Sequence, residues 1–466
     1  MARKILFASL GVAGAAALLL GGLYLFFTAW FNPSPPAANF PRPATALDAQ
    51  RQDLVQFKRL VALDQAYAPA DRAQANRAID ALGAGKAVLG WAGLRTQLMR
   101  IAAFADNGHT TVYSGDNRRP NAVPLRVAAF ADGVYVLRTK ADDADLLGAR
   151  LEKVDGVPLA DVLTKLDALR GGPARWRRTA ALVWLQSPEI LNGIGVAPQT
   201  DLTVWTLRTS DGREITRALK GAPLARGESF EDDIRWLSPE PMDGEPRSWR
   251  ALAPATLPPT LRDFNRTFRR ARLGNSCVLF LQMKAVTDGP DEKIADWIAQ
   301  TQSAMAANKP CAVILDLRFN GGGDYTNTYA FAHRLPALMQ PGARLYLLTG
   351  PHTFSAAIST AAFVKDALGP RTVILGEMVG DRLKFLSEGN FGCLPNSGIC
   401  FHYSTGMHNY SAPCTDWRVC YWLNWFYPVR VRSLAPDETI ALRFADWRSG
   451  HDAVFARALA LAEPSH

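Results

Sequence analysis

Between Val278 and Leu375 short apolar runs alternate with segments of helical period, and no other stretch of this 466-residue chain limits its fold as tightly. Strands are expected over 278–281, 312–317, 345–348 and 373–375, with helices over 291–307, 327–339 and 355–368 between them. A connection that holds a helix returns the chain to the same end of a sheet, so these strands run parallel with helices packed against them. Two of the strand-to-helix turns carry unusual residues. The run Ala312–Leu317 empties into Arg318-Phe319-Asn320-Gly321-Gly322-Gly323, and the run Leu345–Leu348 leads to a helix that opens at Thr353-Phe354-Ser355-Ala356-Ala357. Both turns fall at the carboxyl edge of the sheet, where open α/β sheets bind ligands. Glycines let backbone N–H groups approach a substrate carbonyl, and a helix start adds its own N–H groups and positive dipole end. Ser355 is thereby expected as the nucleophile of an acyl-transfer site; the blander role for a serine at a helix start is that of a cap.

The joint pattern is more specific than its parts. Asp-Leu-Arg-x-Asn-x-Gly-Gly at 316–323, then Thr-x-Ser-Ala at 353–356 and Val373-Ile374-Leu375-Gly376-Glu377, resembles the C-terminal processing (tail-specific) serine peptidase family, including its tricorn-core branch. The resemblance extends from about residue 100 to about residue 462 and is strongest over 312–380. It implies a crotonase-like α/β catalytic core, Ser355 as nucleophile, and the N–H groups of Gly322 and Ala356 as oxyanion donors.

A serine needs a base near neutral pH, and His109, His352, His402, His408 and Lys384 are the candidates. In the tail-specific branch the base is a lysine shortly after Gly-Glu, but that register puts Arg382 in its place, and arginine stays protonated. Lys384 is two residues late and is the alternative base. The tricorn-like branch takes a histidine from the segment before its PDZ-like part, which Gly108-His109-Thr110 matches. His109 is therefore the expected base. Here Gly108 replaces the serine that precedes the branch's histidine, and Arg430 falls near its distant Glu-Gly glutamate, so Glu377 and Asp106 remain as candidate relay acids.

At the N-terminus, Arg3 and Lys4 precede an uncharged apolar run from Ile5 to Phe31, longer than the ~20 residues that span a bilayer. It closes in Leu-Phe-Phe-Thr-Ala-Trp-Phe, with aromatics at interfacial depth, so an uncleaved anchor over 1–31 is expected. The basic residues place its short side in the cytoplasm and the body in the periplasm or its equivalent. A Pro-rich linker over 32–46 reads as an extended spacer, followed by a small helical domain over 47–108. Hairpins at 125–138 and 202–219 mark a β-rich region over 109–222, whose Gly148–Leu163 segment resembles the strand, turn and helix of a PDZ domain. A connection over 223–262 leads to the catalytic domain at 263–466, and Arg262, Arg266 and Arg269 suggest one solvated helical face over 262–272.

Six cysteines suit such a compartment. Cys393 with Cys400 and Cys414 with Cys420 would close short loops, other pairings among the four staying open; Cys277 and Cys311, each at a strand start, are bridged neighbours or small buried residues. His402 and His408 lie among these cysteines, but the spacings lack the Cys-x-x-Cys pairs of common zinc sites, and neither metal nor cofactor is expected. A hydrophobic content of 48% is ample for a core, and the net charge of +9, mostly arginine, comes with no nucleic-acid-binding motif. The sequence thus predicts a membrane-anchored extracytoplasmic serine peptidase acting on peptides or proteins. Its alternative is a degenerate member that binds peptides or other ligands without cutting them.

Overall fold

The computed structural model describes residues 2–115, 118–224, 233–241, 245, 248–274 and 276–463, with the side chains of 2–16 and 233 outside that description. Helix α1 (Ala2–Phe31) carries the expected anchor segment, whose first sixteen side chains are therefore not described. Among the described residues no helix is long and apolar enough to cross a membrane. Residues 32–43, expected as a spacer, instead run along the body. Gln56 Nε2 donates to Pro36 O at 2.6 Å, Tyr403 Oη donates to Pro33 O, and Phe31 is fully buried. Proline removes backbone donors but leaves carbonyls, and these meet donors of the body.

Helices α2 (Ala46–Leu63), α3 (Pro69–Ala84) and α4 (Trp91–Ala103) form the helical part, with Thr45 capping α2 through Asp48 N. Strand β1 (Thr111–Ser114) follows but does not join the next sheet; it pairs antiparallel with residues 399–402, nearly three hundred positions on. Strands β2 (Leu125–Phe130), β3 (Gly133–Lys140), β4 (Arg150–Val154) and β5 (Val157–Pro158), helices α5 (Leu159–Asp167), α6 (Ala174–Leu185) and α7 (Pro188–Gly193), strands β6 (Leu202–Arg208) and β7 (Glu214–Lys220), and β8 (Trp249–Ala251) make the middle region. Its sheet has the order β2-β3-β4-β6-β7, with β5 on β4 and β8 on β3. Both hairpins expected from the sequence are present. Residues 225–232, 242–244 and 246–247 of the 223–262 connection lie outside the described residues, and β8 ties the connection to this sheet.

The expected basic helix over 262–272 is a strand, β9 (Phe268–Arg272), antiparallel to β10 (Val278–Met283). Arginines spaced for a helix were outweighed by tertiary pairing: β10 would otherwise be an open edge, and Phe268 enters the core while Arg269 donates to Pro259 O at 2.6 Å. From there α8 (Ile294–Ala307), β11 (Ala312–Asp316), α9 (Thr326–Leu338), β12 (Arg344–Thr349), α10 (Ala356–Leu368) and β13 (Thr372–Gly376) alternate as the sequence reading requires. Strands β14 (Lys384–Ser387), β15 (Asn390–Cys393), β16 (Ile399–Tyr403), β17 (Gly406–Asn409) and β18 (Glu438–Thr439), then α11 (Phe444–Ser449) and α12 (Ala453–Ala462), complete the chain. The six-stranded sheet runs β18-β13-β12-β11-β10-β9, parallel except for β9.

Side-chain alternation sorts its two faces. Leu279, Leu281, Val313, Leu315, Leu345 and Leu347 join the core that holds residues of α8, α9 and α10. Phe280, Ile314, Tyr346 and Leu348 meet Val454, Phe455 and Ala458 of α12. A strand buried on both faces needs apolar residues at every position, hence the unbroken runs in the sequence. Three disulfides, Cys277–Cys311, Cys393–Cys400 and Cys414–Cys420, engage all six cysteines; the first links the starts of β10 and β11.

Candidate active site

The residues after β11 form a scaffold before they form a site. Arg318 reaches back to Asp316 with Nε at 3.0 Å and Nη2 at 2.8 Å, and forward to Asp452 with Nη1 at 2.9 Å and Nη2 at 2.8 Å. Asp452 also caps α12, accepting from Phe455 N at 3.0 Å. Burial raises its carboxyl and the Arg318 guanidinium lowers it, with Thr260 and the Phe455 N–H helping, to a net value below the ordinary range. The Asp-Leu-Arg pattern thus fixes the glycine turn to the last helix. Asn320 is the second clamp: its Nδ2 donates to Met283 O at 3.0 Å, its backbone O accepts from Phe354 N at 3.1 Å, and its Oδ1 accepts from Gly322 N at 2.9 Å. Thr353 Oγ1 donates to Leu317 O at 2.9 Å, so both turns are stitched together.

Between these clamps Ser355 stands at the start of α10 with φ 54° and ψ −127°. Positive φ in a non-glycine residue is strained, and such strain gathers at functional sites where the surroundings over-determine it. Gly322, at φ 113°, lies against it so closely that a β-carbon there would sit 2.6 Å from Ser355 Cβ and 3.0 Å from Ala356 N. At the helix start Ala357 N donates to Phe354 O, and Ile358 N and Ser359 N donate to Ser355 O. The Ala356 N–H has no such acceptor among the described residues. Of the two expected oxyanion donors, then, Ala356 is open, whereas the Gly322 N–H is turned onto Asn320.

His109 is brought to the same place by stacking. Its ring lies 4.5 Å from that of Phe354, the residue before Ser355, and 5.2 Å from that of Phe385 on its other side. The pile continues at both ends, with Trp176 stacked on Phe354 at 3.9 Å and His408 on Phe385 at 5.2 Å. Both His109 ring nitrogens are buried without a hydrogen-bond partner, and no hydrogen bond joins them to Ser355 among the described residues. Burial first, then repulsion from His402, His408 and Arg170, holds its pKa well below the ordinary histidine value, so the ring is neutral at pH 7.

None of the other candidates joins the ring pile beside Ser355, or meets His109, through a described contact, except His408 and His402. Lys384 precedes Phe385 on β14, so its side chain leaves the opposite face of the strand and is exposed. Glu377 lines a second cavity of about 310 Å³, and His352 lines both that cavity and the cleft over the glycine turn described below; burial raises the Glu377 carboxyl and His352 partly offsets this, and Glu377 makes no described contact with His109. Asp106 pairs with Arg382 at 2.7 Å, which accounts for both. Arg430 is exposed, its backbone N donating to Asp366. His402 Nδ1 meets His109 O at 3.1 Å, and His408 Nε2 meets Glu388 Oε1 at 3.1 Å, so neither stands in a metal cluster; none is found among the described residues.

Sequence reasoning missed Trp176, Phe385, Glu388 and Tyr410. Tyr410 Oη lies 3.2 Å from His408 Nδ1 and 2.6 Å from Ser359 Oγ, one turn beyond Ser355. None of these four stands in a motif of the sequence, whereas Asn320 stands in the glycine pattern. A cleft of about 690 Å³ opens over the glycine turn, floored by Gly321 and Gly322, walled by Trp176, Trp184, Phe264 and Phe319, and edged by Arg170, Arg235 and Lys284. It is large enough for several residues of an extended peptide.

No family model matches the chain, and no curated protein matches it in sequence. Among solved structures, mature CPAF superposes with a TM-score of 0.59 at 15% identity over 90% of this chain and 97% of its own. Mature CPAF complexed with lactacystin gives 0.56 at 15% identity over 90% and 98%. At that identity the likeness is one of fold, and it spans nearly the whole of both chains: this protein has the mixed α/β fold of mature CPAF.

Proposed function

We propose that this protein is a serine peptidase of the C-terminal processing kind, hydrolysing peptide bonds through an acyl-enzyme on Ser355. The observation that carries the reading is the strained Ser355, pressed against Gly322 at the mouth of α10, with a neutral, unpartnered His109 packed on the adjacent Phe354. Ser355 Oγ attacks the peptide carbonyl carbon while His109 takes its proton. The oxyanion forms at the Ala356 N–H, and the Gly322 N–H exchanges the neutral Asn320 acceptor for this charged one, a stronger bond. Collapse expels the amine, which takes the proton from His109; water then repeats the sequence on the acyl-enzyme. Catalytic hydrogen bonds are often made only when substrate is bound, so the missing Ser355–His109 contact is compatible with this role.

In the same reading the six-stranded sheet is a crotonase-like core, and β2 to β7 with α5 is a PDZ-like body that presents substrate. The disulfides support an extracytoplasmic body, and the uncharged run 5–31 on α1 supports a single-pass anchor in the cytoplasmic membrane. A second reading, a degenerate member that grips peptides without cutting, is favoured by one observation: among the described residues no carboxylate reaches either nitrogen of His109. Treating the purified chain with a fluorophosphonate separates the two. A covalent adduct on Ser355, lost in His109→Ala, is the peptidase result; an unmodified Ser355 beside retained peptide binding is the other.

A further inference from the structure

The C-terminal turns of α1 do not hang from a tether. Phe31 is buried with its ring 5.5 Å from Tyr421, Thr405 Oγ1 donates to Phe31 O, and Trp30 Nε1 donates to Arg418 O at 2.9 Å. Phe27 stacks on Trp422 at 5.9 Å and meets Trp425 edge-on at 5.7 Å. Besides Thr405 and Tyr421, the residues that receive the helix belong to the Cys414–Cys420 loop and the 3-10 turn at Trp422–Trp425. Together they leave a collar of large rings facing water around the point where α1 departs: Tyr24, Phe26, Trp30, Trp417, Trp425 and Phe426, the last 65% exposed. Contiguous exposed aromatics on this scale mark an interaction surface.

We propose that this collar is a seat for the lipid headgroup layer, so that the disulfide-closed loop and the base of α1 together rest the catalytic body flat on the bilayer. The proposal rests on α1 being a membrane helix. Two features select a bilayer as the occupant. First, the apolar character is graded: the large rings lie next to the body with only Leu23 and Leu25 exposed among them, and the exposed run Leu18-Leu19-Leu20 lies farther out, Leu18 about 18 Å along the helix from Trp30. Trp and Tyr at the interface with aliphatics beyond is the order a bilayer imposes. Second, with 32–43 bound to the body there is no slack, so whatever solvates the uncharged run 5–31 abuts the collar directly. The seat is also close behind the site, since Tyr421 lies 5.5 Å from His408, which ends the ring pile on His109.

Because every native cysteine is bonded, one introduced cysteine gives the full-length chain a single label site. Phe426→Cys, Trp417→Cys, Leu20→Cys and, as a distant exposed control, Val88→Cys would each carry an environment-sensitive fluorophore. Each is reconstituted into phosphatidylcholine–phosphatidylglycerol vesicles holding nitroxide lipids, after fluorophosphonate labelling has verified a native Ser355 site. Labels at 426 and 417 should lose most of their emission to headgroup-proximal nitroxides and less to mid-chain ones, with Val88→Cys unchanged. If Leu20→Cys is quenched by mid-chain nitroxide while 426 and 417 stay as open to aqueous iodide as 88, the anchor stands and the seat is wrong. If no label is quenched, the anchor reading fails and the seat with it. Shielding of 426 that disappears on diluting protein among vesicles assigns the collar to a second copy and overturns the proposal.

Discussion

The imidazole of His109 lies nearly face to face with the phenyl ring of Phe354, centroids 4.5 Å apart at 26°, although the two are separated by more than half the chain. That contact sets His109, the proposed base, next to the residue before Ser355, the proposed nucleophile, with no hydrogen bond between the two among the described residues. His109→Ala should therefore lower peptide turnover about 10²–10⁴-fold while leaving the melting transition cooperative. Lys384→Ala, at an exposed position on the far face of β14, should keep most of the activity. The opposite pattern in the two variants would reassign the base.

A histidine held neutral by burial moves the pH profile. As the His109 pKa lies well below the ordinary value of 6.5, the acid limb of kcat/KM should fall below that pH. The same shift has a stability consequence of known sign. Between the unfolded and folded values the unfolded chain binds more protons, so this group's contribution is full above about pH 6.5 and is lost as the pH drops toward the folded value. An acid limb above 6.5 in the wild type would count against His109.

Gly322→Ala tests the closeness of the glycine turn. Its β-carbon would press on Ser355 Cβ at 2.6 Å, at a φ of 113° that side chains rarely adopt. A displacement of about 1 Å at a nucleophile costs about a hundredfold in rate, so kcat should fall by at least that much. Gly90→Ala, whose added carbon meets nothing within 4 Å and which lines neither cavity, should stay within a few-fold of wild type in a matched assay.

Arg318→Met would leave the buried carboxylates of Asp316 and Asp452 facing each other without their cation. Breaking such a buried arrangement costs about 3–5 kcal/mol, which urea unfolding at pH 7 should detect. In the wild type the depressed Asp452 carboxyl gives stability that is present above the ordinary aspartate value and lost as pH falls through the folded one. The variant's deficit should therefore shrink on acidification.

Alkylation of the native protein should modify no cysteine, and reduction should expose six. Two of the disulfides close loops of six and seven residues, each worth about 2–3 kcal/mol. Freely alkylated thiols at 393, 400, 414 and 420 in untreated protein would place the body in a reducing compartment.

The sequence alone carried the α/β core because each strand from 278 to 375 is apolar on both faces, and only a parallel sheet covered on both sides asks for that. It carried the Asp316–Gly323 turn and Ser355 because glycine triplets and helix starts are local features. What surrounds Ser355 was decided by tertiary structure. The pile Trp176–Phe354–His109–Phe385–His408 draws on five separated segments, and no period in the chain encodes which ring will meet which. The arginines of 262–272 kept a helical spacing yet 268–272 became an edge strand, because pairing there covers the open side of β10 and buries Phe268 in the core, which a solvated helix would not do. Likewise the proline-rich stretch after α1 looked free only because its docking carbonyls are invisible in composition; Tyr403 and Gln56, distant in sequence, bind them and fix the helix to the body.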